Sequence, residues 1–160
     1  MKARGFTLVE LVVVVAIVGL LATAAVPVVE MGVRRAQEHK LREGLRELRQ
    51  AIDTYKAAVL AKRIAPGPNG SPWPPRLQML VEGAPVLDPE GHEDSAGRRL
   101  YLLRRMPRDP FADPALAAVD TWALRASDSP ADAPRPGDDV FDVASRSTAQ
   151  ALDGSRYSDW

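Results

Sequence analysis

Lys2-Ala3-Arg4-Gly5-Phe6-Thr7-Leu8-Val9-Glu10 leads into an apolar run that reaches Val29. A short basic stretch ends in glycine, a phenylalanine follows, and one carboxylate stands four residues beyond it. From Leu11 to Val29 every residue is apolar or small except Thr23, and Pro27 lies near the end. About 20 apolar residues at roughly 1.5 Å rise cross a ~30 Å hydrocarbon core, so the run is a candidate membrane span. A lone Glu inside such a run is costly and calls for a partner or a function.

Gly5-Phe6-Thr7-Leu8-Val9-Glu10-Leu11 resembles the prepilin leader of type IV pilins and type II secretion pseudopilins. The resemblance implies that a membrane prepilin peptidase cuts between Gly5 and Phe6 and N-methylates Phe6. It also implies that Glu10 is the assembly residue. The residues alone give a membrane helix with one odd carboxylate. Two plainer readings stay open. In a secretory signal peptide, Lys2 and Arg4 are the basic region, and Ala22-Thr23-Ala24 is a small-residue cleavage site. In a plain single-span anchor nothing is processed. Positive charges flank the run on both sides, at Lys2 and Arg4 and at Arg34, Arg35, Lys40 and Arg42, so the positive-inside rule does not orient it. The resemblance does, with the N-terminus cytoplasmic and the domain periplasmic.

The 160 residues suffice for one domain plus an anchor. Lys+Arg and Asp+Glu are 21 each, which argues against generic binding to nucleic acid or anionic lipid. Without cysteine there are no disulfides and no thiol or Cys–zinc chemistry. Every proline but Pro27 lies beyond residue 65, so the two halves are different kinds of polypeptide.

The first half predicts one long helix. Leu41, Leu45, Leu48, Ile52, Tyr55 and Val59 recur at helical spacing and make one apolar stripe. Charges fill the other faces, including Glu38 and Arg42 at i,i+4. Helix from Phe6 to about Lys62 would be roughly 85 Å long. The stripe is expected to pack on the chain's own C-terminal domain, with a coiled coil as the alternative. Gly19 and Pro27 predict a kink or local break near Val26, since proline removes a donor and clashes with the previous turn. In filaments of the resembling family that segment is often unwound; a simple lipid-phase kink is the competing account.

Residues 64–75 hold five prolines and two glycines, a stiff loop that ends the helix. Residues 76–82 suggest a short helix, and residues 85–97 a polar loop. His92 lies there beside Glu90, Glu93 and Asp94, a pattern commoner on solvated surface than in a metal site. Arg99-Leu100-Tyr101-Leu102-Leu103-Arg104-Arg105-Met106-Pro107-Arg108-Asp109-Pro110-Phe111 resembles the major type II pseudopilin, where a Tyr-Leu pair leads into a Pro-x-Asp-Pro-aromatic turn. Arg98, Arg99, Arg104, Arg105 and Arg108 form the most basic patch, read as a solvated or acid-paired face rather than a nucleic-acid site. Residues 121–125 and 139–144 predict strands on either side of a loop at 127–138. The segment Leu152–Trp160, ending in tryptophan after Asp153-Gly154, also resembles the major pseudopilin. Trp73, Trp122 and Trp160 are expected to anchor the core.

That family binds calcium through a C-terminal loop. Asp138, Asp139, Asp142, Asp153 and Asp159 are oxygen donors of the right type. However, Ser145-Arg146-Ser147-Thr148-Ala149-Gln150 stands where an acidic Gly-rich loop is usual, so calcium stays open and no metal ligands are assigned. No cofactor is otherwise indicated. No motif positions His39 or His92 for catalysis, and the chain is not read as an enzyme.

The predicted fold is α+β and pilin-like. It has a leader at 1–5, a transmembrane and filament-core helix at 6–29, an amphipathic continuation at 30–63 and a periplasmic domain at 64–160. The predicted function is a structural subunit of the type II secretion pseudopilus. The expected partners are its own copies, other pseudopilins, prepilin peptidase, the inner-membrane secretion platform and membrane lipid, with no nucleic acid. The alternatives are a minor type IV pilin or DNA-uptake pseudopilin, and a membrane-anchored binding module that does not polymerise.

Overall fold

The computed structural model describes residues 7–160, with the backbone alone over residues 21–28. It is α+β, as expected. Helix α1 spans Leu8–Leu60, 53 residues. After it come a short helix α2 (Met79–Glu82), a hairpin of β1 (Ala84–Pro85) and β2 (Arg99–Leu100), and a second antiparallel pair of β3 (Trp122–Arg125) and β4 (Asp142–Ser145). The chain divides into two compact units, Met1–Ala36 and Gln37–Trp160, and α1 belongs to both.

Helix α1 is continuous through Gly19 and Pro27 in the single chain. Pro27 has no N–H to donate, which costs the helix one bond without ending it. The end comes where the sequence indicated. The Arg63 N–H donates to the Ala58 carbonyl at 2.9 Å and the Lys62 N–H to Val59 at 2.9 Å, with Lys62 left-handed at φ 55°. That is a Schellman motif with lysine where glycine is usual.

In the second unit the apolar stripe is buried against the chain's own domain. Leu41, Leu45, Leu48, Ile52 and Tyr55 are at most 3% exposed, and Val59 packs at the margin. Ile64, Leu77, Leu80, Leu103, Trp122, Val143 and Tyr157 complete the core. Each fully buried Leu or Ile contributes about 1.5–3 kcal/mol. Against this stripe lies the indole of Trp122. Gly44 provides the room, since a Cβ there would lie 3.3 Å from the ring and 3.6 Å from Pro107 Cβ. The indole N–H donates to the Pro107 carbonyl at 2.9 Å.

The turn after Pro107 is a hub. Asp109 is fully buried; its carboxylate accepts from the Phe111 N–H at 2.8 Å and the Ser145 hydroxyl at 2.6 Å. Phe111 in turn stacks on Tyr157 at 4.1 Å between centroids. Glu38 departs from the expected i,i+4 pairing with Arg42. It turns inward, 7% exposed, and accepts from the Leu152 N–H at 2.8 Å and the Tyr157 hydroxyl at 3.0 Å. Two donors inside the domain satisfy that carboxylate, and Arg42 reaches Asp153 at 3.2 Å instead.

The strands are shorter than the sequence suggested. Asp139–Phe141 precede β4 and take part in a side-chain network. Asp139 accepts from the Ser71 hydroxyl, from the Ser127 N–H at 2.8 Å and from the Ser127 hydroxyl at 2.7 Å. The proline-rich loop is thereby tied to the 127–138 loop, and the Val140 N–H adds a bond to the Pro74 carbonyl at 2.8 Å.

Two outcomes follow from this packing. Leu48→Ala should cost about 2–5 kcal/mol in denaturant unfolding followed by tryptophan fluorescence. Gly44→Leu should cost about 1–3 kcal/mol by overpacking; unchanged stability would show that the Trp122 ring can step aside. Asp139 adds a pH signature. Burial alone would raise its pKa, but hydrogen bonds from Ser71 and Ser127 outweigh burial and hold it below the usual value. Its contribution is therefore full above the unfolded-chain value of about 3.9 and is lost as pH falls through the lower folded value. Asp139→Asn should melt below wild type at neutral pH, and the gap should close in acid below about pH 4. A gap independent of pH would reject that account.

Candidate functional site at the head of the long helix

Gly5 and Phe6, the expected cleavage and methylation positions, lie outside the described residues, as does the leader at 1–5. The described site begins at Thr7. The Leu11 N–H closes the first helical bond to the Thr7 carbonyl at 3.2 Å. The Thr7 hydroxyl accepts from the Glu10 N–H at 3.2 Å, and the Glu10 carboxylate accepts from the Thr7 N–H at 3.2 Å. The Thr7 hydroxyl also donates to Glu10 at 3.2 Å. This is a capping box, Thr-x-x-Glu, in which two residues satisfy each other's orphan donors. Glu10 is thus the first-turn acid of α1, where the positive end of the helix dipole favours a carboxylate. The four-residue pattern Thr-x-x-Glu is a local sequence signal of this cap.

Around Glu10 the described side chains are apolar and exposed. Leu8, Val9 and Leu11 are 59–77% exposed. Among the described residues no helix is long and apolar enough to cross a membrane. The side chains of residues 21–28, inside the expected span at 6–29, are not among those described.

The other candidates separate. Three of the five arginines of the basic patch bond to the chain itself. Arg98 pairs with Asp94 at 2.6 Å, Arg99 donates to the Gly83 carbonyl at 2.6 Å, and Arg108 donates to the Leu116 carbonyl at 2.6 Å. His92 is exposed, 3.9 Å from Asp88. The carboxylates considered for calcium are not gathered; among the described residues no three of His, Cys, Asp and Glu come together as a metal site. Trp122 is a core anchor, whereas Trp73 and Trp160 are partly buried at its edge.

The model of the prokaryotic N-terminal methylation motif matches residues 1–26. The type II secretion system core protein G of Klebsiella pneumoniae is 33% identical over 113 residues, 69% of this chain and 70% of that protein. Its counterpart from Escherichia coli K12 is 34% identical over 113 residues, 70% of this chain and 69% of that protein. The type IV major fimbrial protein FimA of Dichelobacter nodosus is 41% identical over 51 residues, 32% of this chain and 33% of that protein. No solved structure matches the chain significantly.

The cap makes its own prediction. Thr7→Val removes the hydroxyl that accepts the Glu10 N–H and should cost the helix start about 0.5–2 kcal/mol, while Thr7→Ser should restore it. Amide exchange at Glu10, followed by NMR in detergent micelles, reads the effect; equal exchange in the Val and Ser variants would mean the box contributes nothing.

Proposed function

The chain belongs to the family of type II secretion system core protein G, and from that we propose how it serves as a structural subunit of the secretion pseudopilus. A match of 113 residues is too long to be confined to the 53-residue α1. It therefore takes in part of the following domain, and this observation carries the reading. The fimbrial match, at 51 residues, is short enough to lie within the helix. It supports a shared assembly element and keeps a minor type IV pilin or DNA-uptake pseudopilin as the second reading. Neighbouring genes would discriminate: a secretion ATPase and outer-membrane channel would support the first reading, a retraction motor the second.

In the proposed sequence, residues 6–29 hold the subunit in the inner membrane, with the leader cytoplasmic and residues 64–160 periplasmic. Prepilin peptidase cuts after Gly5 and methylates Phe6. The subunit then joins copies of itself and other pseudopilins on the inner-membrane platform. The role is structural, not catalytic. Gly19 and Pro27 are proposed as the place where α1 loosens on entering the filament; its continuity in the single chain is the starting state.

Glu10 is proposed to set the register. An incoming Phe6 amine neutralises Glu10 of a docked subunit, and a slipped subunit would leave both charges unpaired in a low-dielectric medium. A carboxylate at a span centre costs about 2.5–3.5 kcal/mol on insertion scales, less near an end. Two substitutions separate the charge from the cap. Glu10→Gln keeps a capping-box side chain and removes the charge; Glu10→Val removes both. Both should insert, be cleaved and fail to assemble, as read from protein level, N-terminal mass and filament counts. Filaments from the Gln variant would overturn the charge-pairing role. Mass spectrometry of the wild type should find N-methyl-Phe6 at the mature start; a start at Ala25 would establish the signal-peptide reading.

A further inference from the structure

We propose that the segment 149–160 is latched to α1 by the helix's own side chains, Glu38, Arg42 and Arg49, and that this latch closes without a divalent cation. The resemblance to major pseudopilins implies calcium in this region, and the donor set here does not fit it. Calcium takes six to eight oxygens, several of them from carboxylates with open lone pairs. In this chain Asp153 is engaged by protein donors on both oxygens, and Asp142 and Asp159 on one oxygen each. One oxygen of Asp153 accepts from the Ser155 N–H at 3.0 Å and its hydroxyl at 2.6 Å, and the other faces Arg42 at 3.2 Å. Asp142 accepts from Arg49 at 2.8 Å and from the Val143 N–H at 2.8 Å. Asp159 accepts from Ser158 at 3.0 Å. A guanidinium therefore stands beside each of Asp153 and Asp142, and a second cation there would meet like charge.

The three helix residues divide the work. Glu38 holds the segment at two points, through the Leu152 N–H and the hydroxyl of the buried Tyr157. Arg49 is a fork: Nε goes to Asp142, and one terminal nitrogen reaches the Val143 carbonyl at 3.0 Å and the Trp160 carbonyl at 2.7 Å. It thus joins β4 and the last residue to the helix. Arg42 lies 4.0 Å over the Trp160 ring while it faces Asp153. Trp160 closes the segment on itself, donating from its indole N–H to the Ser155 hydroxyl at 2.7 Å and meeting Tyr157 edge-on at 5.1 Å. Arg42 and Asp153 are both about half exposed, so that pair is the weak member and Arg49 the strong one.

The test uses the full chain in detergent micelles, melted once with millimolar calcium chloride and once with EGTA. The two wild-type curves should coincide. Arg49→Ala should melt several degrees lower in both buffers and release the 149–160 segment to carboxypeptidase. Arg49→Lys should recover little of this, because a single ammonium cannot reproduce the planar fork. Arg42→Ala should lower the melt less. A wild-type melt raised by calcium, as mass action requires of a cation bound only to the folded state, would overturn the proposal. So would calcium restoring the Arg49→Ala melt. If Arg49→Ala does not fold, the wild-type comparison and Arg42→Ala decide the matter.

Discussion

The domain depends on a flat aromatic ring lying against a helix where that helix carries a glycine, Gly44. Trp122 reaches α1 because Gly44 has no side chain, and the indole N–H finds the Pro107 carbonyl as it arrives. From that seat the constraints spread. Trp122 begins β3, β3 pairs with β4 from Trp122 opposite Ser145, and the Ser145 hydroxyl binds the buried Asp109 carboxylate. Asp109 shapes the turn that puts Phe111 on Tyr157, and Tyr157 returns to α1 through Glu38. The loop of contacts starts and ends on the same helix. Glycine weakens a helix interior by roughly 0.5–1 kcal/mol relative to alanine, which the burial of one large aromatic exceeds.

Much of this was legible in the sequence where the signal is periodic. The stripe from Leu41 to Val59, the end of α1 just before Lys62 and the two strands around the 127–138 loop follow from spacing and turn chemistry. What was not legible was pairing at long range. Gly44 sits among the stripe residues, and nothing local says that a ring 78 positions later will lie on it. Glu38 read as a surface partner of Arg42 because i,i+4 spacing is visible, while Leu152 and Tyr157 are more than a hundred residues away. The carboxylates read as candidate cation ligands because their type is visible and their partners are not. At the candidate site the opposite happened. The Thr7–Glu10 box is wholly local and is written in the four residues Thr7-Leu8-Val9-Glu10.

Glu10 therefore carries a local bond in the single chain and a proposed intermolecular one in the assembly. A carboxylate has two oxygens, and the cap uses one of them: both Thr7 donors go to the same atom. The second oxygen can take an incoming amine while the helix keeps its cap. On the proposed pairing, the docked subunit would gain a partner for Glu10 without unwinding its first turn.

Outside α1 the regular structure is scant: β1 and β2 are two residues each, β3 and β4 four. The loops are held instead by scattered single attachments, such as Asp139 to Ser127, Arg99 to Gly83 and Arg49 to Trp160. Order of that kind comes undone piecemeal. Each loop can open by releasing its own few bonds, while the core-facing turns of α1 open only when the core itself does. Such a periphery leaves evolutionary latitude: a loop can be lengthened, shortened or rewritten without disturbing the next. The helix and the ring seated on it are the part that lineages sharing this architecture are least free to change.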